Sequence, residues 1–202
     1  MKKYITVYLL RHGETAMNKK GITQGARATR LTSLGLKQAR NAANLLKKRA
    51  LTAVYSSPIF RTMQTARIVC KHYPHKIIKL PAFGERNYGI LVGRTGKQIM
   101  KLIPDIKEQW KRDGMDWKPC KNSESIRDAY RRAVAGFNHL VKKHKIGDSV
   151  LVVTHGGMIK CLLLYFTKKG PEKYFKISPI PHCGITEVLW NKKPLRIRCL
   201  LK

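Results

Sequence analysis

Asp148-Ser149-Val150-Leu151-Val152-Val153-Thr154-His155-Gly156-Gly157 is the most strand-like run in the chain, and it stops abruptly at a histidine and two glycines. A short β-branched and apolar segment bounded by turn residues is a strand signal. The same design occurs at the start, where Tyr4 to Leu10 runs into Arg11-His12-Gly13. It recurs at Leu51 to Tyr55, which meets Ser56-Ser57-Pro58. Three strands therefore end in polar, chemistry-bearing loops.

The intervening segments carry helical spacing. Between Leu31 and Ala50, Leu34, Ala39, Ala42, Leu45 and Leu46 recur on one face behind Thr32 as N-cap. Ser57 is read as the cap and Pro58 as the first position of a helix running to about His72, which puts Arg61 in its first turn. Lys76 to Leu80 is a third strand and Pro81 to Gly93 a loop. Thr95 to Trp110 is helical but broken at Pro104. Ser123 to His144 is a long helix with Ala129, Ala133, Phe137, Leu140 and Val141 on one face. A further helix follows Gly157, then two strands at Ile185 to Trp190 and Leu195 to Leu200. Strands alternating with helices predict an α/β three-layer sandwich, a mainly parallel central sheet with helices on both faces. In such sheets ligands bind beyond the carboxyl ends of the strands. The loops at His12, Arg61 and His155 are thus expected to converge.

The 202 residues suit a single domain over 1–202, with 43% apolar and 26% charged residues, within the globular range. The longest apolar runs fall well short of the roughly 18 to 20 residues of a membrane span. The opening imitates a signal peptide, but Arg11 interrupts it without a cleavage site, and the segment is read as a first strand. Five scattered cysteines without metal-ligand spacing indicate free thiols and a reducing cytoplasm. The charge is the unusual quantity: 42 Lys plus Arg against 11 Asp plus Glu gives +31, and Glu14 is the only acid before Glu85. Such a field attracts phosphorylated metabolites and polyanions. The cations are interspersed along the sequence and form no basic tail.

An arginine beside a strand-end histidine, a second arginine in a helical first turn and a second histidine before two glycines suit a phosphate monoester. Arginine binds phosphate oxygens through bidentate charge-assisted bonds, and helix N-termini add backbone donors. A neutral imidazole can attack phosphorus and form a covalent phosphohistidine. Glu85 can deliver the proton to the leaving alkoxide; a carboxylate enclosed beside the substrate's own negative charge keeps the proton a general acid needs. His72, His75, His139, His144 and His182 have no evident partners in the sequence and are read as surface or packing residues. No third ligand accompanies His12 and His155, so neither a metal nor a cofactor is expected.

These residues also carry a resemblance. Leu10-Arg11-His12-Gly13-Glu14-Thr15 with Asn18, Gln24-Gly25, Leu31-Thr32 with Gly35 and Gln38-Ala39, Ser56-Ser57-Pro58 with Arg61, Gln64-Thr65-Ala66, Glu85-Arg86-Asn87-Tyr88-Gly89, Glu124-Ser125 and Thr154-His155-Gly156-Gly157 stand in order along nearly the whole chain. The set resembles the histidine phosphatase superfamily, with its phosphoglycerate mutase-like fold. The resemblance implies that His12 is the phosphorylated nucleophile, that Arg11, Arg61 and His155 contact the transferring phosphate, and that Glu85 donates the proton. It assigns Asn18, Gln24, Gly25 and Gly156 to the phosphate site and Tyr88 to the rest of the substrate. Ala28, Val92 and Ser123 depart from the pattern, where Asp, Glu and Gly are common; none is a catalytic position, and the departures bear on loop geometry and substrate fit.

Hydrolysis of a small phosphate monoester is the leading expectation. Cofactor-dependent phosphoglycerate mutases, the alternative, usually have a longer chain and Thr-Gly-Trp near Gln24-Gly25. A polyanion- or nucleic-acid-binding protein on a phosphatase scaffold is the reading from another class, resting on the charge. Specificity is expected from Arg86 to Asn122.

Overall fold

The computed structural model describes residues 3–201. Six strands form one sheet: β1 (Ile5–Arg11), β2 (Ala53–Ser56), β3 (Ile77–Lys79), β4 (Ser149–Thr154), β5 (Ile185–Asn191) and β6 (Lys193–Leu201), in the order β3-β2-β4-β1-β5-β6. β3, β2, β4 and β1 pair in parallel, whereas β5 pairs antiparallel to β1 and β6. The sheet is mixed, with a parallel centre that suits helical crossovers and an antiparallel hairpin at its edge.

Strand alternation splits the core in two. Val7, Leu9, Val150 and Val152 point to one face, where they meet Ala133, Phe137 and Leu140 of α6 (Ile126–Lys142) and Met158, Ile159 and Leu162 of α7 (Gly156–Phe166). Tyr8, Leu10, Leu151 and Val153 point to the other, against Ala39, Ala42 and Leu46 of α2 (Ser33–Leu46) and Ala66 and Val69 of α3 (Phe60–Val69). Period-two alternation on strands and 3.6-residue spacing on helices thus produce the expected three layers. Fully burying one large aliphatic side chain contributes about 1.5–3 kcal/mol, so the paired valines and leucines at the sheet centre dominate the packing.

The short α1 (Ala16–Lys19) follows β1, with Thr15 and Asn18 forming a reciprocal capping box. α4 (Gly96–Leu102) and α5 (Ile106–Asp113) flank Pro104, and Leu91, Ile103 and Trp117 make a small satellite core beneath them. Thr32 caps α2 as expected, but α6 starts at Ile126 behind Ser125. α3 corrects the reading of Ser57 and Pro58: the helix begins at Phe60 with Ile59 at its N-cap. Ser57 Oγ accepts from Ile59 N at 3.3 Å, and its other partner belongs to the site.

The site loop is held by backbone proximity. A Cβ on Gly13 would lie 2.6 Å from the Gly35 carbonyl oxygen, and one on Gly35 would lie 2.1 Å from that of Glu14. Only glycines let α2 approach this loop so closely. Gly13 N then donates to Thr65 Oγ1, Glu14 N to Gln38 Oε1 and Leu31 N to Gln64 Oε1. Gln38, Gln64 and Thr65 therefore serve as loop anchors.

Candidate active site

The sheet register places the two histidines. Arg11 and Thr154 are the last registered pair between β1 and β4, so the next residues, His12 and His155, leave the sheet side by side with ring centroids 5.3 Å apart. On the other side of β4, Ser56 is registered with Val153, and Arg61 follows within the first turn of α3. The parallel neighbours thus deliver three loops to one end of the sheet.

Arg61 is the hub, with only 1% of its surface exposed. Its Nε donates to His12 Nε2 at 3.1 Å, its Nη2 to Gly25 O at 2.9 Å and to His155 Nδ1 at 3.2 Å, and its Nη1 to Arg27 O at 3.3 Å. A guanidinium can only donate, so both ring nitrogens that face it must be acceptors. His12 therefore carries its proton on Nδ1, which donates to Gly13 O at 2.8 Å, and keeps a lone pair on Nε2. His155 carries its proton on Nε2, which donates to Ser57 Oγ at 2.9 Å. Burial, reinforced by the Arg61 charge, holds both imidazoles well below their ordinary pKa, so both are neutral near pH 7.

His12 lies on the wall of a cavity of about 310 Å³ that is also lined by Arg11, Asn18, Gln24, Gly25, Glu85, Tyr88 and Gly156. Arg61 and His155 lie behind this wall, in contact with the cavity residues. Asn18 Oδ1 accepts from Thr15 N at 3.1 Å and Gln24 Oε1 from Thr29 Oγ1 at 2.7 Å, which engages the two amide oxygens and leaves their NH2 groups as donors. Glu85 Oε2 is 4.0 Å from Arg61 Nη2 and 3.8 Å from His155 Nδ1. Its loop is clamped by Arg132, which donates to Ala82 O, Gly84 O and both Glu124 oxygens. Burial opposes the Glu124 charge, but the bonds from Arg132 and Asn87 N outweigh it and hold its pKa below the ordinary value.

The structure brings together every site residue expected from the sequence and adds several. His182, read as a packing residue, is corrected: its Nε2 accepts from Arg11 Nη2 at 2.9 Å, while Arg11 Nη1 donates to Ile180 O. Burial and the Arg11 charge push His182 down to about 4, so its ring is a neutral acceptor. Arg11 Nε has no partner among the described residues. His144 is also partnered, with Tyr55 Oη and Asp148. Lys160, Tyr174, Pro179 and Ile180 line the cavity from α7 and the segment after it. Of Arg86 to Asn122, only Tyr88 does so. The departures are local: Ala28 is exposed, Val92 packs against Gly25, and Ser123 Oγ bridges the Cys120 N and O atoms. No group of three or more His, Cys, Asp or Glu side chains among the described residues could hold a metal ion.

A neutral strand-end histidine, one buried and one half-buried arginine and a nearby carboxylate at the end of a covered, centrally parallel sheet define an α/β enzyme of the phosphoglycerate mutase-like class. A mycobacterial glucosyl-3-phosphoglycerate phosphatase structure superposes with a TM-score of 0.83 at 26% identity, covering 98% of both chains. The family model for the histidine phosphatase superfamily (branch 1) matches residues 7–201, and the chain belongs to that superfamily. A metal-independent phosphoserine phosphatase of Arabidopsis thaliana is 34% identical over 80% of this chain and 68% of its own length. A probable phosphoglycerate mutase of Yersinia pestis (strain Pestoides F) is 32% identical over 94% of this chain and 87% of its own.

Proposed function

We propose that the protein hydrolyses small phosphate monoesters without a metal, through a phosphohistidine on His12. The observation that carries this reading is the state of His12: Nδ1–H is committed to Gly13 O, and the Nε2 lone pair faces an arginine beside a cavity lined by phosphate-binding donors. Nε2 attacks phosphorus, the N–P bond forms and the ester P–O bond breaks. Glu85 gives its proton to the departing alkoxide. Glu85, now a carboxylate, removes a proton from water; the hydroxide attacks phosphorus, the N–P bond breaks, and inorganic phosphate leaves. As Nε2 turns to phosphorus, the Arg61 N–H it held is freed for a phosphate oxygen. Arg11 Nε, the Asn18 and Gln24 amides and the backbone N–H groups at the start of α7 supply further donors, and His155, behind the wall, holds Arg61 in place by accepting from its Nη2. Partial positive charge on the phosphorylated ring is offset by the bond to Gly13 O.

The test is p-nitrophenyl phosphate turnover in excess EDTA by wild type and His12→Ala. Turnover that resists chelation and vanishes with His12 is expected; equal activity in the variant would sink the reading. Release of inorganic phosphate from 3-phosphoglycerate, as against its isomerisation, separates hydrolysis from mutase action.

Lys37, Arg40, Lys47, Lys48, Arg67 and Lys71 are all exposed on α2, α3 and their following turns, the layer whose sequence up to residue 84 contains Glu14 as its sole acid. Lys142, Lys143, Lys145, Lys168, Lys169, Lys173 and Lys176 are likewise exposed on α6, just after it and beyond α7, so positive charge covers both helical layers. This supports weak, sequence-independent polyanion binding as a secondary property. Its affinity for duplex DNA should fall steeply with salt and be unaffected by His12→Ala; salt-insensitive binding would contradict it. The five cysteines, all unpaired, fit a reducing cytoplasm.

A further inference from the structure

From the far end of the cavity we infer that Lys160 is a specificity-determining residue that selects phosphate monoesters bearing a carboxylate close to the ester. This rests on the phosphatase reading and names its substrate class. Lys160 lies one helical turn beyond Gly156 on α7, on the face that borders the cavity. Gly156 adjoins Arg11, with a Cβ there lying 3.3 Å from Arg11 Nε, so the helix carries its own ruler from the phosphate end to the lysine.

Most lysines of this chain are exposed and solvated. Lys160 is half-buried, and burial lowers its pKa. No carboxylate pairs with it among the described residues. Its one partner among the described residues is the ring of Tyr174, whose centroid lies 5.1 Å from the ammonium. A partly desolvated cation with only a π-face for company has donors to spare for an anion. Among the described residues Glu85 is the only acid lining the cavity, and the proposed chemistry occupies it.

Tyr174 shapes the same end. A Cβ on Gly157 would sit 3.0 Å from Tyr174 Oη and 3.2 Å from Glu85 Oε1, so the glycine keeps open the passage between the proton donor and the lysine end. The volume of about 310 Å³ is at the low end of the roughly 300–1,000 Å³ usual for small-molecule sites. It suits a phosphate and a three-carbon acid better than a nucleotide. A lysine ammonium acts as a point charge with three donors, which matches a carboxylate reached from varying angles.

The experiment compares wild type, Lys160→Met and Lys160→Arg with O-phosphoserine and p-nitrophenyl phosphate in EDTA. The ratio of kcat/KM for phosphoserine to that for p-nitrophenyl phosphate should fall at least tenfold in Lys160→Met, chiefly through KM, and recover in Lys160→Arg. A ratio within twofold of wild type in Lys160→Met overturns the inference. Calorimetric binding of 2-amino-3-phosphonopropionate against ethylphosphonate reads the same preference without turnover. Loss of turnover in wild type with the binding preference intact would strike the phosphatase reading alone. Equal binding of the two phosphonates by wild type would strike the lysine assignment alone.

Discussion

The two ends of the cavity are built on opposite terms. At the His12 end, Arg61 and His155 are almost wholly buried, and their hydrogen bonds set the ring tautomers, so geometry is preorganised before any ligand arrives. At the Lys160 end the cation is half-buried and rests on an aromatic face. The first end is organised to stabilise charge that develops during reaction, whereas the second has an unspent interaction for charge the substrate already carries. Chemistry and selectivity are therefore separable, with Glu85 between them.

The largest effect should come from the first end. His12→Ala removes the covalent route and should lower turnover by at least on the order of 10³-fold, with phosphoenzyme absent from acid-quenched samples. Residual activity within tenfold of wild type would mean another nucleophile. Glu85→Gln keeps shape but removes the proton: kcat for phosphoserine should drop by about 10²–10⁴. p-Nitrophenyl phosphate, whose leaving group needs no proton, should suffer far less in the first step. A uniform loss on both substrates would move Glu85 from proton donor to a purely structural place.

Arg11 sharpens the comparison because it depends on a residue outside the cavity wall. His182→Ala deletes the acceptor for Arg11 Nη2 and should lower kcat/KM roughly tenfold, the scale of one charge-assisted hydrogen bond. His182→Asn, which can still accept, should lose less; equal loss in both would refute the positioning role.

Acid stability is the smallest expected effect, and it has two stages. The depressed pKa values of His12 and His155 contribute stability that is fully present above their unfolded value of about 6.5 and lost as pH falls toward the folded values. Glu124, also depressed, contributes stability present above about 4.3 and lost below it. Urea midpoints should thus decline below about pH 6.5 and again below about 4.3. Asp128, paired with Lys118, is depressed as well, so Glu124→Gln should shrink the second decline without removing it and leave the first; an unchanged acid profile would show that the Arg132 clamp contributes no pH-dependent stability.

Much of this was legible in the residues. Strand runs ending at Arg11-His12-Gly13 and His155-Gly156-Gly157, with Arg61 early in a helix, announced one pocket, because parallel strands must end on the same side. Ser57 reads as a helix cap because Ser-Pro before a helical pattern is a strong local signal, whereas in the fold its hydroxyl also meets His155, just beyond β4. His182 and Lys160 carried no local signal. Their partners, Arg11 and Tyr174, are 171 residues away in one case and outside the helix in the other.

The sequence by itself determined the layers and the chemistry, since hydrophobic periodicity and side-chain type are local properties that survive without coordinates. Only the tertiary structure decided which nitrogen of His12 is free, which histidine steadies Arg11 and which lysine reaches the cavity. Those outcomes depend on distances between segments remote in sequence, and they exist only once the sheet register has been closed.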